Sequence, residues 1–176
     1  MRPHLVAGMA LLAVTANFSA NAAPQNHSAH HSAYSGQQNR SIKSLSSKDV
    51  AELRQGGGWG FAKAAELNGM PGPAHLLELK DEISLTPDQT TAIKSLHQDM
   101  QRQAIAKGER FIALEKQLDH AFKTQNITDH RLRTLLSAIA EVREELRYIH
   151  LSAHLKTPKI LTQAQISRYN FLRGYR

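Results

Sequence analysis

TPDQTTAIKSLHQDMQRQAIAKGERFIALEKQLDHAFK, residues 86 to 123, decides the fold. Thr86 has the short hydroxyl of a helix cap, Pro87 suits the first helical position, and Gln89 stands where its amide can close a capping box. From there to Lys123 no further proline occurs, and the only glycine is Gly108. Ile93, Met100, Leu114 and Ala121 fall on one seven-residue series, interrupted by Lys107. Leu96, Ala104, Phe111 and Leu118 nearly complete a second. Two such series make an apolar seam for another helix. At about 1.5 Å per residue the helix is roughly 55 Å long. That is more than a compact domain needs, and it predicts an extended hairpin. Gly108 weakens the middle and permits a bend.

The partner helix follows at once. Asn126 to Asp129 make the turn and Thr128 caps the next helix. Leu132, Ile139, Leu146 and Ala153 repeat the seven-residue spacing, as do Leu135, Val142 and Ile149, while Arg143, Glu144, Glu145 and Arg147 keep the opposite side charged. Pro158 ends this helix, and a last short one runs from Thr162 to Leu172. Upstream, Ser47 reads as the cap of a short helix ending near Arg54. Glycines 56, 57, 58 and 60 surround Trp59 and lead into Phe61. No Lys/Ser pair accompanies them as a phosphate loop requires, so the tract is a bend and both rings should pack on the helices. Phe61 to Leu67 can form two turns, and Pro73 opens another helix. Few aromatics and no alternating β-branched runs argue against a sheet. The expected fold is all-α: a long, bent, antiparallel helical hairpin with short flanking helices. A thin hairpin leaves one apolar side open, so a homodimer is expected to close it.

The N-terminus sets the expected compartment. Arg2 precedes an apolar stretch from Leu5 to Phe18, and Ala20-Asn21-Ala22 places small residues before a cleavage point. Residues 1–22 therefore read as a secretory signal peptide cut near Ala22, which predicts a periplasmic protein without a membrane span. Residues 23–47, rich in His, Ser and Gln, hold little to bury and should form a disordered tail. His27, His30 and His31 there could catch a divalent metal weakly. Residues 48–176 form the helical domain. There is no cysteine, so helix packing or a partner must hold the chain together. The net charge is +7. Its cations are mixed with Asp and Glu along the helices and have no aromatic platform between them, so no nucleic-acid partner is expected.

Two helix starts are alike. Leu85-Thr86-Pro87-Asp88-Gln89 opens the long helix and Leu161-Thr162-Gln163-Ala164-Gln165 the last. Each is an apolar staple, a Thr cap and a Gln at the third helical position, and each matches the pattern LTxxQ. With His150-Leu151-x-x-His154-Leu155, Ile160-Leu161-Thr162-x-x-Gln165 and Arg168-Tyr169-Asn170, residues 48–175 resemble the Spy/CpxP-like periplasmic family. That family includes refolding chaperones, zinc-resistance-associated proteins and heavy-metal sensors. The resemblance implies bent antiparallel helices, often paired as a dimer. It also implies either ATP-independent holding of unfolded periplasmic proteins in envelope stress, or binding of a divalent metal, with a membrane-bound regulator as a further partner.

Candidate residues follow from each function. His150 and His154 are four apart on a helix, so both rings can face one side and bind Zn, Cu, Ni or Co. Glu115, Asp119 and His120 on the preceding helix are candidate further ligands, with His97 as another, and the resemblance to metal-sensing relatives implies a ligand from the N-terminal part, His75 or the 27–31 cluster. Two half-buried histidines that only pack are the alternative. No cofactor is otherwise required. A client surface would join Met100, Ile105, Phe111 and Ile112 to cations such as Arg110. The same apolar residues could instead be core. No Ser/His/Asp grouping or HExxH sequence occurs, and thin helices rarely offer an enzymatic pocket, so no enzyme is expected.

Overall fold

A computed structural model describes residues 32–175. The expected signal peptide, its cleavage near Ala22 and the His27, His30 and His31 cluster lie outside the described residues. Residues 32–35 group with the N-terminal unit and form a turn in which Ser35 N donates to Ser32 O at 2.9 Å. The unit from Gly36 onward carries everything that follows.

The described residues are mostly helical and contain no strand. The helices are α1 (Ser47–Arg54), α2 (Lys63–Glu66), α3 (Pro73–Glu78), α4 (Pro87–Lys123), α5 (Asp129–Lys156) and α6 (Gln163–Leu172). None is long and apolar enough to cross a membrane. Their starts obey local chemistry. Thr86 and Thr162 each close a reciprocal capping box with Gln89 and Gln165, and Thr128 accepts from Arg131 N. The α1 cap sits one residue before the expected one. Ser46, not Ser47, accepts from Asp49 N while the Asp49 carboxylate takes Ser46 N. Only Ser46 has an acidic residue at its third helical position, so only Ser46 can form the two-way box.

α4 and α5 pack along each other. Lys107 Nζ donates to Glu145 Oε1 at 2.7 Å, and Leu96, Met100 and Gln103 share a groove with Tyr148, Ile149 and Ala153. The seven-residue series supply the seam: Ile93, Met100, Leu114 and Ala121 are buried on α4, and Leu135, Ile139, Val142, Leu146, Ile149 and Ala153 on α5. One core cluster joins this seam to Leu53 of α1 and to Phe61. A second gathers Leu76, Ile83, Ile93 and Tyr169 between α3, α4 and α6. At Gly108 the backbone of α1 rests directly on α4, so that a Cβ there would lie 2.5 Å from Leu53 O.

The tail is not loose throughout. Ile42 and Leu45 are buried in the first cluster, Lys43 N donates to Asp119 Oδ1 at 3.2 Å, and Ser44 Oγ donates to Glu115 Oε2 at 2.6 Å. The expectation of disorder over 23–47 is therefore corrected at 42–45. The polar composition of the stretch conceals two apolar residues three apart, which a tight turn (Leu45 N to Ile42 O, 3.2 Å) aims at the same core.

Candidate functional site

The densest polar contact in the body is centred on Glu66 of α2, a residue that nothing in the sequence singled out. Its side chain is buried, and Oε1 accepts from the hydroxyls of Tyr169 and of Tyr175, the latter at 3.1 Å. Arg173 Nε lies 3.5 Å and His75 Nδ1 3.4 Å from the same oxygen. Burial, and then the bond to Glu66, push the Tyr169 hydroxyl far above its ordinary pKa, so it stays a donor. Oε2 has no hydrogen-bond partner, and His154 Nδ1 stands 3.7 Å away.

The connector after Glu66 is held by its carbonyls. Asn170 Nδ2 donates to Gly69 O at 3.2 Å, His154 Nδ1 to Met70 O at 2.8 Å, and Thr157 Oγ1 to Pro71 O at 2.6 Å. Three successive peptide oxygens that leave water are thus each given a side-chain donor. His154 therefore packs and anchors.

His150, one turn before it, is also buried, and its ring stacks near Phe61 at 6.2 Å. Burial, and then the nearby His154, hold its pKa below the ordinary value of 6.5 against a backbone bond to Gly57 and the charge of Glu52. The sign follows. The folded chain prefers the neutral ring, whereas the unfolded ring protonates near 6.5. The stability tied to this preference is complete above that value and is lost as pH falls from 6.5 through the lowered folded pKa. Melting temperature should fall over that window, and His150→Gln should flatten the dependence. An equal slope in the variant would assign the loss to other groups.

His150 and His154 line a cavity of about 430 Å³ together with Glu66, His75, His97 and Met100. The cavity brings His97 and His75 to the His150/His154 pair but not Glu115 or His120. Glu115 is bonded to Ser44, and His120 is exposed near the end of α4, where its carbonyl accepts from Thr124 Oγ1 at 2.8 Å. The Lys107–Glu145 pairing explains the separation: positions beyond 107 on α4 run toward the start of α5, away from 150 and 154. Among the described residues no three His, Cys, Asp or Glu side chains are grouped to hold a metal ion.

The proposed client residues divide in the same way. Met100, Phe111 and Ile112 are core, with Phe111 edge-on to Trp59 at 5.6 Å; Ile105 is half-buried and Arg110 exposed. The first three are corrected to packing residues, because the α4 seam wraps around to meet α1, Phe61 and the 42–45 turn as well as α5. Trp59 and Phe61 pack as expected, at 5.3 Å from each other, and Trp59 Nε1 donates to Asp49 Oδ1 at 2.9 Å.

The two LTxxQ starts meet. Gln89 Nε2 donates to Gln165 Oε1 at 2.9 Å and Gln165 Nε2 to Gln89 Oε1 at 2.8 Å. Each amide also caps its own helix and reaches a carbonyl beyond it, Ile160 O for Gln89 and Ser84 O for Gln165. The pattern is a clasp fastening the start of α4 to the start of α6. A double-mutant cycle with Gln89→Ala and Gln165→Ala should give a coupling of about 1 kcal/mol in urea unfolding. Strict additivity would show the clasp to be energetically idle.

The class so defined is an all-helical protein with a long helix pair, a clasped pair of LTxxQ starts and a buried carboxylate beside a histidine-lined cavity. No family model, no curated protein and no solved structure matches the chain.

Proposed function

We propose that this chain is an exported, ATP-independent holdase of the Spy/CpxP-like kind, which binds unfolded proteins in the periplasm and performs no catalysis. The observation that carries the reading is the apolar surface outside the core. Leu67, Phe122, Leu136, Tyr148, Leu155 and Phe171 are large, apolar and exposed. Lys123, Arg147, Lys156 and Arg168 stand beside them in the chain, with Arg168 over the Phe171 ring at 5.5 Å. Exposed apolar side chains with cations near them in the chain are the groups that weak, reversible capture of unfolded, acidic-to-neutral segments would use. They replace the buried Met100, Phe111 and Ile112 as the client-binding set. The long α4–α5 pair is read as an extended antiparallel hairpin, and a second copy is proposed to cover part of its surface as a homodimer.

The test is stoichiometric suppression of client aggregation without nucleotide. Suppression should weaken when Phe122, Leu136 and Tyr148 are together replaced by Ser. No suppression of several unrelated clients would overturn the reading. Sedimentation at micromolar concentration reports the dimer separately.

A second reading, a sensor or scavenger of Zn, Cu, Ni or Co, is favoured by one observation: four histidines line a single cavity. Calorimetry with each metal, on the wild type and on His150→Ala/His154→Ala, tests it. An unchanged isotherm in the variant would remove this pair from the ligand set.

A further inference from the structure

Two buried polar atoms of the residues lining the histidine cavity have no hydrogen-bond partner. Glu66 Oε2 is buried without a hydrogen-bond partner, and so is His150 Nε2. A carbonyl only accepts, so His154 Nδ1 must carry the proton that reaches Met70 O. In the neutral ring this leaves His154 Nε2 as an acceptor. His150 Nε2 is a further imidazole nitrogen of the lining residues without a partner. The residues lining the cavity therefore hold an undonated carboxylate oxygen, an imidazole lone pair on His154 and the unpartnered His150 Nε2. Buried acceptors left unmade are costly, and a ligand that donates to them recovers that cost.

The wall beside them is shaped for close approach. A Cβ on Gly72 would lie 2.9 Å from His154 Nε2 and 3.3 Å from Glu66 Oε2. Gly72 has an ordinary extended backbone, φ −87 and ψ 144, so its missing side chain is a matter of space and not of dihedral freedom. The rest of the lining mixes small or apolar residues, Ala62, Pro73, Ala74, Met100 and the glycine bend, with Gln55, Gln101 and the cation Lys63. Charge is divided within the Glu66 carboxylate. Arg173 and the two tyrosines approach Oε1, while Gly72 and His154, both cavity residues, approach Oε2.

We propose that this cavity binds a primary alkylammonium group, whose N–H donors go to Glu66 Oε2 and His154 Nε2 beside His150 and whose alkyl chain lies along Pro73, Ala74 and Met100. Geometry separates this ligand from a metal ion. Tetrahedral zinc at about 2.0 Å draws its ligand atoms to roughly 3.3 Å from one another. An ammonium with hydrogen bonds of about 2.9 Å accepts a ring of acceptors roughly 4.7 Å apart. A quaternary ammonium has the charge but no N–H, and an alcohol has one O–H but no charge. The ammonium can come from a free alkyl diamine or from a lysine side chain of an unfolded polypeptide; the chemistry recognised is the same.

Calorimetry on the full chain at pH 7.5, with imidazole resonances followed by NMR, tests the assignment. Cadaverine should bind and shift the His150 and His154 rings. 1-Pentanol and tetramethylammonium should bind at least about tenfold more weakly, since each lacks either the charge or the donors. Gly72→Ala, whose Cβ would crowd the His154 ring at 2.8 Å from Cε1 and 2.9 Å from Nε2 and so displace that acceptor, should weaken cadaverine by about tenfold or more. Glu66→Gln should do the same, and the ligand series decides the matter without any variant if neither folds. A short peptide with one lysine, compared with its norleucine counterpart, separates the two sources: binding of the lysine peptide alone assigns the site to clients, and binding of cadaverine alone to free amines. Equal binding of pentanol and cadaverine, unmoved histidine resonances, an unaltered Gly72→Ala isotherm in a folded variant, or binding of zinc without any amine would each overturn the proposal. The aggregation assay does not depend on it, so the holdase reading stands or falls separately.

Discussion

Gly108→Ala should destabilise the protein, although alanine is the better helix former. In an exposed helix the exchange gains about 1 kcal/mol. Here the new Cβ would sit 2.5 Å from Leu53 O, 3.1 Å from Leu53 C and 3.4 Å from Leu53 Cβ. The nearest atoms are backbone, so no rotamer change relieves the contact, and α1 must move away from α4. That movement disturbs Leu53, which is almost wholly buried, and the cluster it shares with Phe61, Ala104 and Phe111. Overpacking of this kind costs about 1–3 kcal/mol. With a backbone clash at the upper end of that range the cost outweighs the propensity gain, with a net loss of up to roughly 2 kcal/mol for Ala and about 3 kcal/mol for Val, whose branches enter the space α1 occupies. Chemical denaturation of Gly108→Ala, Gly108→Val and an Ala substitution at exposed Lys116 of α4 checks the order. A stabilised Gly108→Ala would mean that α1 does not rest on this glycine.

The same position shows what was legible in the sequence and what was not. A lone glycine in a long periodic helix has two physical uses, a weak point for bending and a site of close approach. Only the identity of the crossing segment distinguishes them. The period of the seam, the caps at Thr86, Thr128 and Thr162, and the stop near Lys156 all depend on residues within a few positions of one another, and they could be read directly. Burial of Met100, Phe111 and Ile112 depends on what covers α4 on its other sides. A tail turn carrying Ile42 and Leu45 does so, together with α1 and Phe61, and none of these advertises its target. The histidine pair was visible from its four-residue spacing, with His97 and His75 among several possible companions, but the choice among them was not legible. Register decides that Glu115 and His120 lie far along α4 while His97 and His75 come to the cavity. Each LTxxQ start was recognisable as a capping box. Their mutual Gln89–Gln165 bonds span 76 residues and needed the fold.

Glu66→Ala should be among the most damaging single substitutions outside the apolar core. The sequence around it, Ala64-Ala65-Glu66-Leu67, reads as a short solvated helix in which glutamate is unremarkable. In the fold it is the acceptor for a fully buried tyrosine, and it also holds Tyr175 and faces Arg173 and His75. Removing the carboxylate leaves the Tyr169 hydroxyl buried without an acceptor and removes the nearest counter-charge from Arg173. A buried donor stranded in this way costs about 1–3 kcal/mol, and breaking a buried charge pair by deleting one partner costs about 3–5 kcal/mol. Arg173 is partly solvated, which lowers the second figure; a total loss of about 3 kcal/mol is expected. Glu66→Gln keeps an oxygen for Tyr169 and should lose less. Tyr169→Phe in the Glu66→Ala background should recover part of the stability, because it removes the stranded hydroxyl while keeping the ring among Leu76, Ile83 and Ile93. That recovery is the discriminating result. If Tyr169→Phe lowers stability equally with and without Glu66, the two residues are not coupled, and α2 is held to α6 by apolar packing alone.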